Sequence, residues 1–383
     1  MIPYGRQSIS LADKKAVLKV LGSNYLTQGP EVEIFEKKYS SFVGSKYAIA
    51  ANSATSGLHV ACLALGLSKK SLVWTSPNSF VASANCALYC GAMIDFVDIE
   101  KNTLNICIDS LKKKLDSAKK NNTLPDLVIP VHFSGLSCNM KALSKLSKSY
   151  GFKILEDASH AVGASYDSLK VGSCKYSDAA IFSFHPVKII TTGEGGMVTT
   201  NNKKLASKIK NLISHGIVRN KDEIYDQSKI NSDWYYEQHF LGFNFRMTEI
   251  AATLGSSQLA RVEKFLSKRR KIAFFYEKNL NNPNLEKPNP EFFSSSSLHL
   301  YIIKCINNDF RERLFKFLRK KGYFVQLHYF PIHLQPFYKE LGFQKGMFPV
   351  SEHYSERAIS LPIFYDLKIK DLKIFINLVN SFK

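Results

Sequence analysis

Apolar residues recur at spacings of three and four in SLADKKAVLKVLG, which begins at Ser10 with a capping-box arrangement and ends at Gly22. The spacing predicts a helix. A second is expected in GPEVEIFEKKYSSFVG, with Pro30 at its first position and Gly44 past its end. From Tyr47 the pattern changes to short apolar runs, YAIAA, LVWTS, MIDFVDI, DLVIPVHF and FKILEDAS, separated by helix-like stretches such as SGLHVACLALG and NMKALSKLSKSYG. Strands alternating with helices predict a largely parallel sheet covered on both faces. DAAIFSF from Asp178 and GGMVTT from Gly195 lie too close for a crossover helix, so the sheet is expected to be mixed there.

One long helical pattern runs from Met247 to Tyr276 and gives way to a Pro, Asn and Ser cluster between Asn281 and Ser297. That cluster marks a junction. HLYIIKC, DFRERLFKFLRKKG, YFVQLHY and a final helix then predict a smaller α+β unit. The expected division is residues 1–260, with an N-terminal arm, and residues 261–383. A length of 383 residues fits two or three domains.

Composition narrows the class. Hydrophobic residues at 45% and charged residues at 22% are the proportions of a folded chain, not of a disordered one or a coiled coil. The formal net charge is +20, and from Arg261 onward 22 basic side chains face 11 acidic ones. Such an excess attracts anions. The basic runs Lys112-Lys113-Lys114 and Lys268-Arg269-Arg270 nevertheless fall in amphipathic helical stretches, and no zinc-finger, helix-turn-helix or aromatic-basic RNA pattern is present, so no nucleic-acid partner is expected. Residues 47–68 and 71–94 lack charges, but Asn52, His59, Pro77 and Asn85 interrupt them, and no membrane span is expected. The N-terminal residues lack the apolar run of a signal peptide, and seven cysteines, an odd number, suggest free thiols. A cytoplasmic protein is the expectation. Cys86 and Cys90 share a helix face without a neighbouring ligand pair, and Pro331 separates His328 from His333, so no metal site is expected.

Candidate chemistry gathers between Asp157 and Gly196. Asp157 ends the run FKILED, where ligands collect beyond the carboxyl ends of strands in open α/β sheets. Lys188, in SFHPVKIITTGEGG, follows a buried strand, where a lysine amine can have its pKa lowered and act as a nucleophile. The NSATSGL turn places Ser53, Ala54, Thr55 and Ser56 at a helix start, whose free N–H groups and hydroxyls make a phosphate cradle. Cradle, aspartate and lysine together are the set needed to hold pyridoxal phosphate. Phe80, in SPNSF, would reach the same sheet edge and stack on a ring.

The stretches NSATSGL, SPNSFVASANC, LEDASHAVGASY, FSFHPVKIITTGEGGMV, GFNFRMTEIAATLGSSQL and LHYFPIHLQPFY resemble the DegT/DnrJ/EryC1/StrS family of pyridoxal-phosphate sugar aminotransferases. The resemblance covers nearly the whole chain. It implies an α/β, aspartate-aminotransferase-like fold of type I, with a central, mostly parallel mixed sheet and a smaller C-terminal α+β domain. It makes pyridoxal 5'-phosphate the cofactor, Lys188 the residue that carries it covalently, Asp157 the partner of its pyridine nitrogen and Phe80 the stacking ring. Ala54, Thr55 and Ser183 would hold the phosphate. His160, where many members have Gln, would lie near the ring oxygen. Asn244 would enter the active site of a neighbouring subunit, which implies a homodimer, and His215 could lie near the cofactor or serve as a capping residue. Sugar-nucleotide contacts would fall on Tyr4, on Asn24, Tyr25, Leu26 and Thr27, and on Gln326, Leu327, His328 and Tyr329. SFHPVK and HYFPIHLQP are most similar to members that aminate C4 of a UDP-linked 4-keto-6-deoxy-N-acetylhexosamine, with L-glutamate as donor, in pseudaminic acid biosynthesis. Bacillosamine-type and perosamine-type sugars, and a non-catalytic sensor that keeps the fold, are the alternatives.

Overall fold

The computed structural model describes residues 1–383. Seven strands form the central sheet in the order Tyr47–Ala51, Gly196–Thr200, Ala179–Ser183, Lys153–Asp157, Leu127–Ile129, Leu72–Thr75 and Met93–Phe96. Gly196–Thr200 runs antiparallel to both its neighbours, and all other pairings are parallel. The mixed region therefore lies where the missing crossover required it.

Both sheet faces are covered. Ile49, Ile181 and Val198 pack against the helices Ala54–Ala64, Ala82–Tyr89 and Lys203–Leu212. On the other face Ala50, Phe182 and Met197 meet Phe35 and Tyr39 of the helix Pro30–Val43. That helix carries Pro30 at its start and ends on Gly44, whose φ of 77° suits a residue without a Cβ. The first helix, Leu11–Leu21, begins with the Ser10 and Asp13 capping box.

The pattern from Met247 to Tyr276 forms two helices, Glu249–Leu259 and Val262–Asn279. The break has a polar cause. Asp13 is fully buried and accepts hydrogen bonds from Ser257 Oγ (2.6 Å), Gln258 Nε2 (2.9 Å) and Arg261 Nη2 (2.7 Å), which turns the chain between the helices toward the first one.

Beyond the break, Leu285–Glu286, Tyr301–Cys305 and Ala358–Leu361 form an antiparallel sheet. The helices Val262–Asn279, Asn308–Lys320 and Ile369–Asn380 share an apolar cluster with it. YFVQLHY is a strand only at Tyr323–Phe324, because Gln326 exchanges backbone hydrogen bonds with Ser360 and the chain then leaves toward the central sheet. The short strand Ala358–Leu361 was not evident in the sequence. Ile2–Pro3 pairs in parallel with Tyr323–Phe324, so the N-terminal arm reaches the C-terminal elements.

Candidate active site

A cavity of about 420 Å³ opens at the carboxyl ends of the parallel strands, between the central sheet and the segment that carries His328 and Tyr329. Asp157 closes the strand Lys153–Asp157, Ser183 closes Ala179–Ser183, and Ser79, Phe80 and Ser83 follow Leu72–Thr75; all line it. Ser53, Ala54 and Thr55 line it from the start of the helix Ala54–Ala64. Ser53 Oγ accepts from the Ser56 N–H (3.0 Å), which leaves the Ala54 and Thr55 N–H groups without an intrahelical acceptor. A Cβ on Gly196 would stand 2.6 Å from the Ala54 nitrogen, so glycine lets the antiparallel strand approach this helix start.

The Asp157 carboxylate is held from two sides. Its Oδ2 accepts from Ser83 Oγ (2.6 Å) and its Oδ1 from the Ser159 N–H (3.0 Å); Ser83 in turn bonds Ser79 (2.7 Å). Lys188 lies half-buried in the cavity wall. Burial outweighs the attraction of Asp157 and lowers its amine to about 8.

Three histidines stand together beside Lys188. His160 Nε2 pairs with the Tyr329 hydroxyl (3.0 Å), His328 Nδ1 with Ser360 Oγ (2.8 Å), and the His160 and His299 rings lie 4.4 Å apart. Burial, reinforced by Lys188, pushes His328 down to about 3 and holds His160 well below the usual range. His299 is shifted the same way by burial and by its neighbour His160. All three are neutral at physiological pH. The buried Nδ1 atoms of His160 and His299 and the Nδ2 of Asn78 have no partner in the protein.

The donor set fits pyridoxal 5'-phosphate. It offers a lysine amine shifted toward neutrality, a carboxylate held by two hydrogen bonds, a helix start with free N–H groups, and orphaned ring nitrogens in one cavity.

Of the residues expected from the sequence, Tyr4, Ala54, Thr55, Phe80, Asp157, His160, Ser183, Lys188, His328 and Tyr329 line this cavity. The others do not. Gln326 pairs with Ser360, and Leu327 packs against the buried cluster that contains Ile99, Phe133 and Leu300. Asn24, Tyr25, Leu26 and Thr27 lie elsewhere, with Leu26 and Thr27 joined to the start of the helix Glu249–Leu259. The Asn244 carbonyl accepts from Asn52 Nδ2 (3.5 Å), and His215 is exposed in a turn with φ of 63°.

Ser79, Ser83, Ser159, His185, Glu194 and His299 also line the cavity and were not singled out in the sequence. Glu194 was within sight, because it stands in the stretch SFHPVKIITTGEGG that carries Lys188. No histidine or cysteine group is arranged to hold a metal. The seven cysteines are free. Cys86 and Cys90 are less isolated than their spacing suggests: the Cys62 thiol, with His59 and against burial, holds Cys90 down to about 6.

The sheet and this site define a pyridoxal-phosphate aminotransferase. Residues 7–380 match the model of the DegT/DnrJ/EryC1/StrS aminotransferase family, and the chain belongs to that family. It is 39% identical over 376 residues to the UDP-4-amino-4,6-dideoxy-N-acetyl-beta-L-altrosamine transaminase of Campylobacter jejuni, covering 97% of this chain and 95% of the relative. The spore coat polysaccharide biosynthesis protein SpsC of Bacillus subtilis is 34% identical, covering 99% and 96%. Among solved structures, the Helicobacter pylori PseC aminotransferase, involved in the biosynthesis of pseudoaminic acid, superposes with a TM-score of 0.89 at 33% identity, covering 99% of this chain and 98% of that one. The protein is a sugar aminotransferase that depends on pyridoxal phosphate.

Proposed function

We propose that this enzyme transfers the amino group of L-glutamate to the C4 keto carbon of a UDP-linked 4-keto-6-deoxy-N-acetylhexosamine, in pseudaminic acid biosynthesis. The observation that carries this reading is the single cavity in which Asp157, Lys188 and the start of the helix Ala54–Ala64 meet, in a chain 39% identical to the altrosamine transaminase.

Bound pyridoxal 5'-phosphate supplies an electron sink that weakens the C–H bond beside an amino nitrogen. Lys188 carries the cofactor. Lys188 Nζ would also be the group that holds and moves the proton, accepting it from the α-carbon of glutamate and supplying the one that C4 of the sugar gains. An amine titrating near 8 exchanges protons in both directions at physiological pH. Asp157 keeps a proton on the ring nitrogen, and Ser83 keeps the Asp157 carboxylate in place. Ala54, Thr55 and Ser183 would hold the phosphate, Phe80 would stack on the ring, and His160, which pairs with Tyr329, would lie near the ring oxygen. Tyr4, His328 and Tyr329 form the sugar side of the cavity.

In this reading two copies complete each site. Asn244 and the segment Asn24–Thr27 serve the partner's cavity, and Tyr225, Trp234 and Leu241, which are 80%, 72% and 85% exposed in the isolated chain, supply apolar contact area between copies. Residues 1–260 act as the cofactor-binding unit and 261–383 as the smaller one; the apolar cluster from Ile272 to Val379 supports that division. Seven free thiols fit a reducing compartment, the cytoplasm.

Product analysis after incubation with glutamate and the altro-series or gluco-series UDP-linked 4-keto sugar tests the reading. Amination of the altro-series substrate is expected. Preference for the gluco-series would transfer the enzyme to a bacillosamine-type route, and absence of any product with cofactor bound would favour a sensor.

A further inference from the structure

A second crevice lies between the turn Lys101–Leu104 and the helix Pro349–Arg357, with a volume of about 280 Å³. Its wall is basic. Lys101, Lys304, His353 and Arg357 line it together with Leu104 and Tyr354. The nearby carboxylates are largely engaged elsewhere: Glu100 accepts from Asn102 and Thr103 (2.7 to 2.9 Å), Glu356 faces Lys345 (3.5 Å), and Asp98 caps the helix Pro349–Arg357 through the Val350 and Ser351 N–H groups. Only Lys304 has an acidic partner, Glu286 at 2.5 Å. Arg357 donates from Nε to the Cys305 carbonyl and from Nη1 to His353 Nε2 (2.9 Å), and its Nη2 donates to no protein atom. Lys101 is exposed and forms no ion pair. Two cations, one with a preorganised planar fork, thus line the crevice without an ion-pair partner of their own, while the acidic groups Glu286 and Glu100 act on Lys304.

The crevice adjoins the active site. The Tyr354 ring lines it, while the Tyr354 hydroxyl donates to the His328 carbonyl (2.5 Å), and His328 and Tyr329 line the active-site cavity. Phe133 continues the contact, with its ring 6.0 Å from Tyr354 and 6.2 Å from Tyr329.

We propose that this crevice is a regulatory site for a phosphate-bearing small molecule, whose phosphoryl group is bound by Lys101 and Arg357 and whose presence is transmitted through Tyr354 to His328 and Tyr329. The site is separate from the cofactor cradle and does not depend on which sugar the enzyme aminates.

Calorimetric titration of the holoenzyme with inorganic pyrophosphate, and in parallel with UDP, tests it. Saturable pyrophosphate binding is expected, weakened about tenfold or more in Lys101→Glu, which removes an exposed side chain with no structural partner. Arg357→Gln is expected to weaken it similarly. A Lys101-dependent affinity for UDP above that for pyrophosphate would identify a nucleotide as the ligand, and equal affinities a free phosphoryl anion. Pyrophosphate is also expected to shift the absorbance of the bound cofactor in the wild type and not in Lys101→Glu. Binding that is absent, or unaffected by Lys101→Glu, would overturn the proposal; binding without the absorbance change would overturn its regulatory half.

Discussion

The proposed chemistry asks Lys188 for an amine that exchanges protons near neutral pH. An exposed lysine titrates near 10.4, whereas burial in the cavity wall lowers this one to about 8. Its neutral fraction therefore grows as pH rises through 8, and capture of pyridoxal phosphate by the apoenzyme should accelerate between pH 6 and 8.5 and then level off. Stopped-flow absorbance measures this; a rate still climbing through pH 10 would mean an unshifted amine. Asp157 depends on its neighbours in the same way. Asp157→Asn should reduce kcat on the order of 100-fold, and Ser83→Ala, which only loosens the carboxylate, about tenfold with KM nearly unchanged. Equal kcat for Ser83→Ala and the wild type would remove Ser83 from the mechanism. Asp157 and Lys188 were legible in the sequence because strand ends and glycine turns leave local signatures. Ser83 was not, since its partner is 74 residues away and only the fold brings them together. His299 was hidden for the same reason, standing just before a strand of the C-terminal sheet.

At the scale of elements, two carboxylates, one buried and one half-buried, tie helices to the sheet and to each other. Asp13 joins the first helix to the break between Glu249–Leu259 and Val262–Asn279. Burial raises its pKa, but hydrogen bonds from Ser257 and Ser10 and the charge of Arg261 prevail and lower it. Asp13→Ala should cost roughly 3 kcal/mol by leaving Arg261 and Gln258 without an acceptor, as read by urea unfolding. Glu36 behaves oppositely. It accepts from the Ala50 N–H (2.8 Å) at the edge of the sheet, and burial raises its pKa to about 7. A carboxyl raised in the folded state weakens stability as pH rises from about 4.5 to 7. Glu36→Gln keeps an acceptor for Ala50 and should stabilise the protein on the order of 2 kcal/mol at pH 8, with the gain vanishing below pH 4.5. A gain independent of pH would contradict this origin. The helix caps at Ser10, Pro30 and Gly44 were readable from short motifs. The helix break at Arg261 was not, because its cause is a side chain some 250 positions earlier, outside any local pattern.

The whole molecule brings Asp157, Ser183 and Lys188 of the central sheet region together with Tyr4, His328 and Tyr329, the residues proposed to face the sugar, which come from segments far away in sequence. Tyr4 comes from the N-terminal arm, and His328 and Tyr329 from the segment that leaves the strand Tyr323–Phe324. Alternation of strands and helices was enough to foresee the sheet, whereas the pairing of Ile2–Pro3 with Tyr323–Phe324 involves strands too short to carry a period. The proposed sharing of sites between two copies predicts a specific behaviour. Mixed and reassociated Lys188→Ala and Asn244→Ala subunits, each inactive alone, should regain about a quarter of wild-type activity, because half the dimers are mixed and each holds one intact site. No recovery would assign Asn244 to its own chain's site.

The proposed chemistry depends most directly on Lys188 as the residue that carries the cofactor. Borohydride reduction of the purified holoenzyme, followed by peptide mass spectrometry, should find pyridoxal phosphate fixed on the peptide containing Lys188, with no label in Lys188→Ala. Label on another lysine, or none in the wild type, would contradict the assignment on which the proposed chemistry is built.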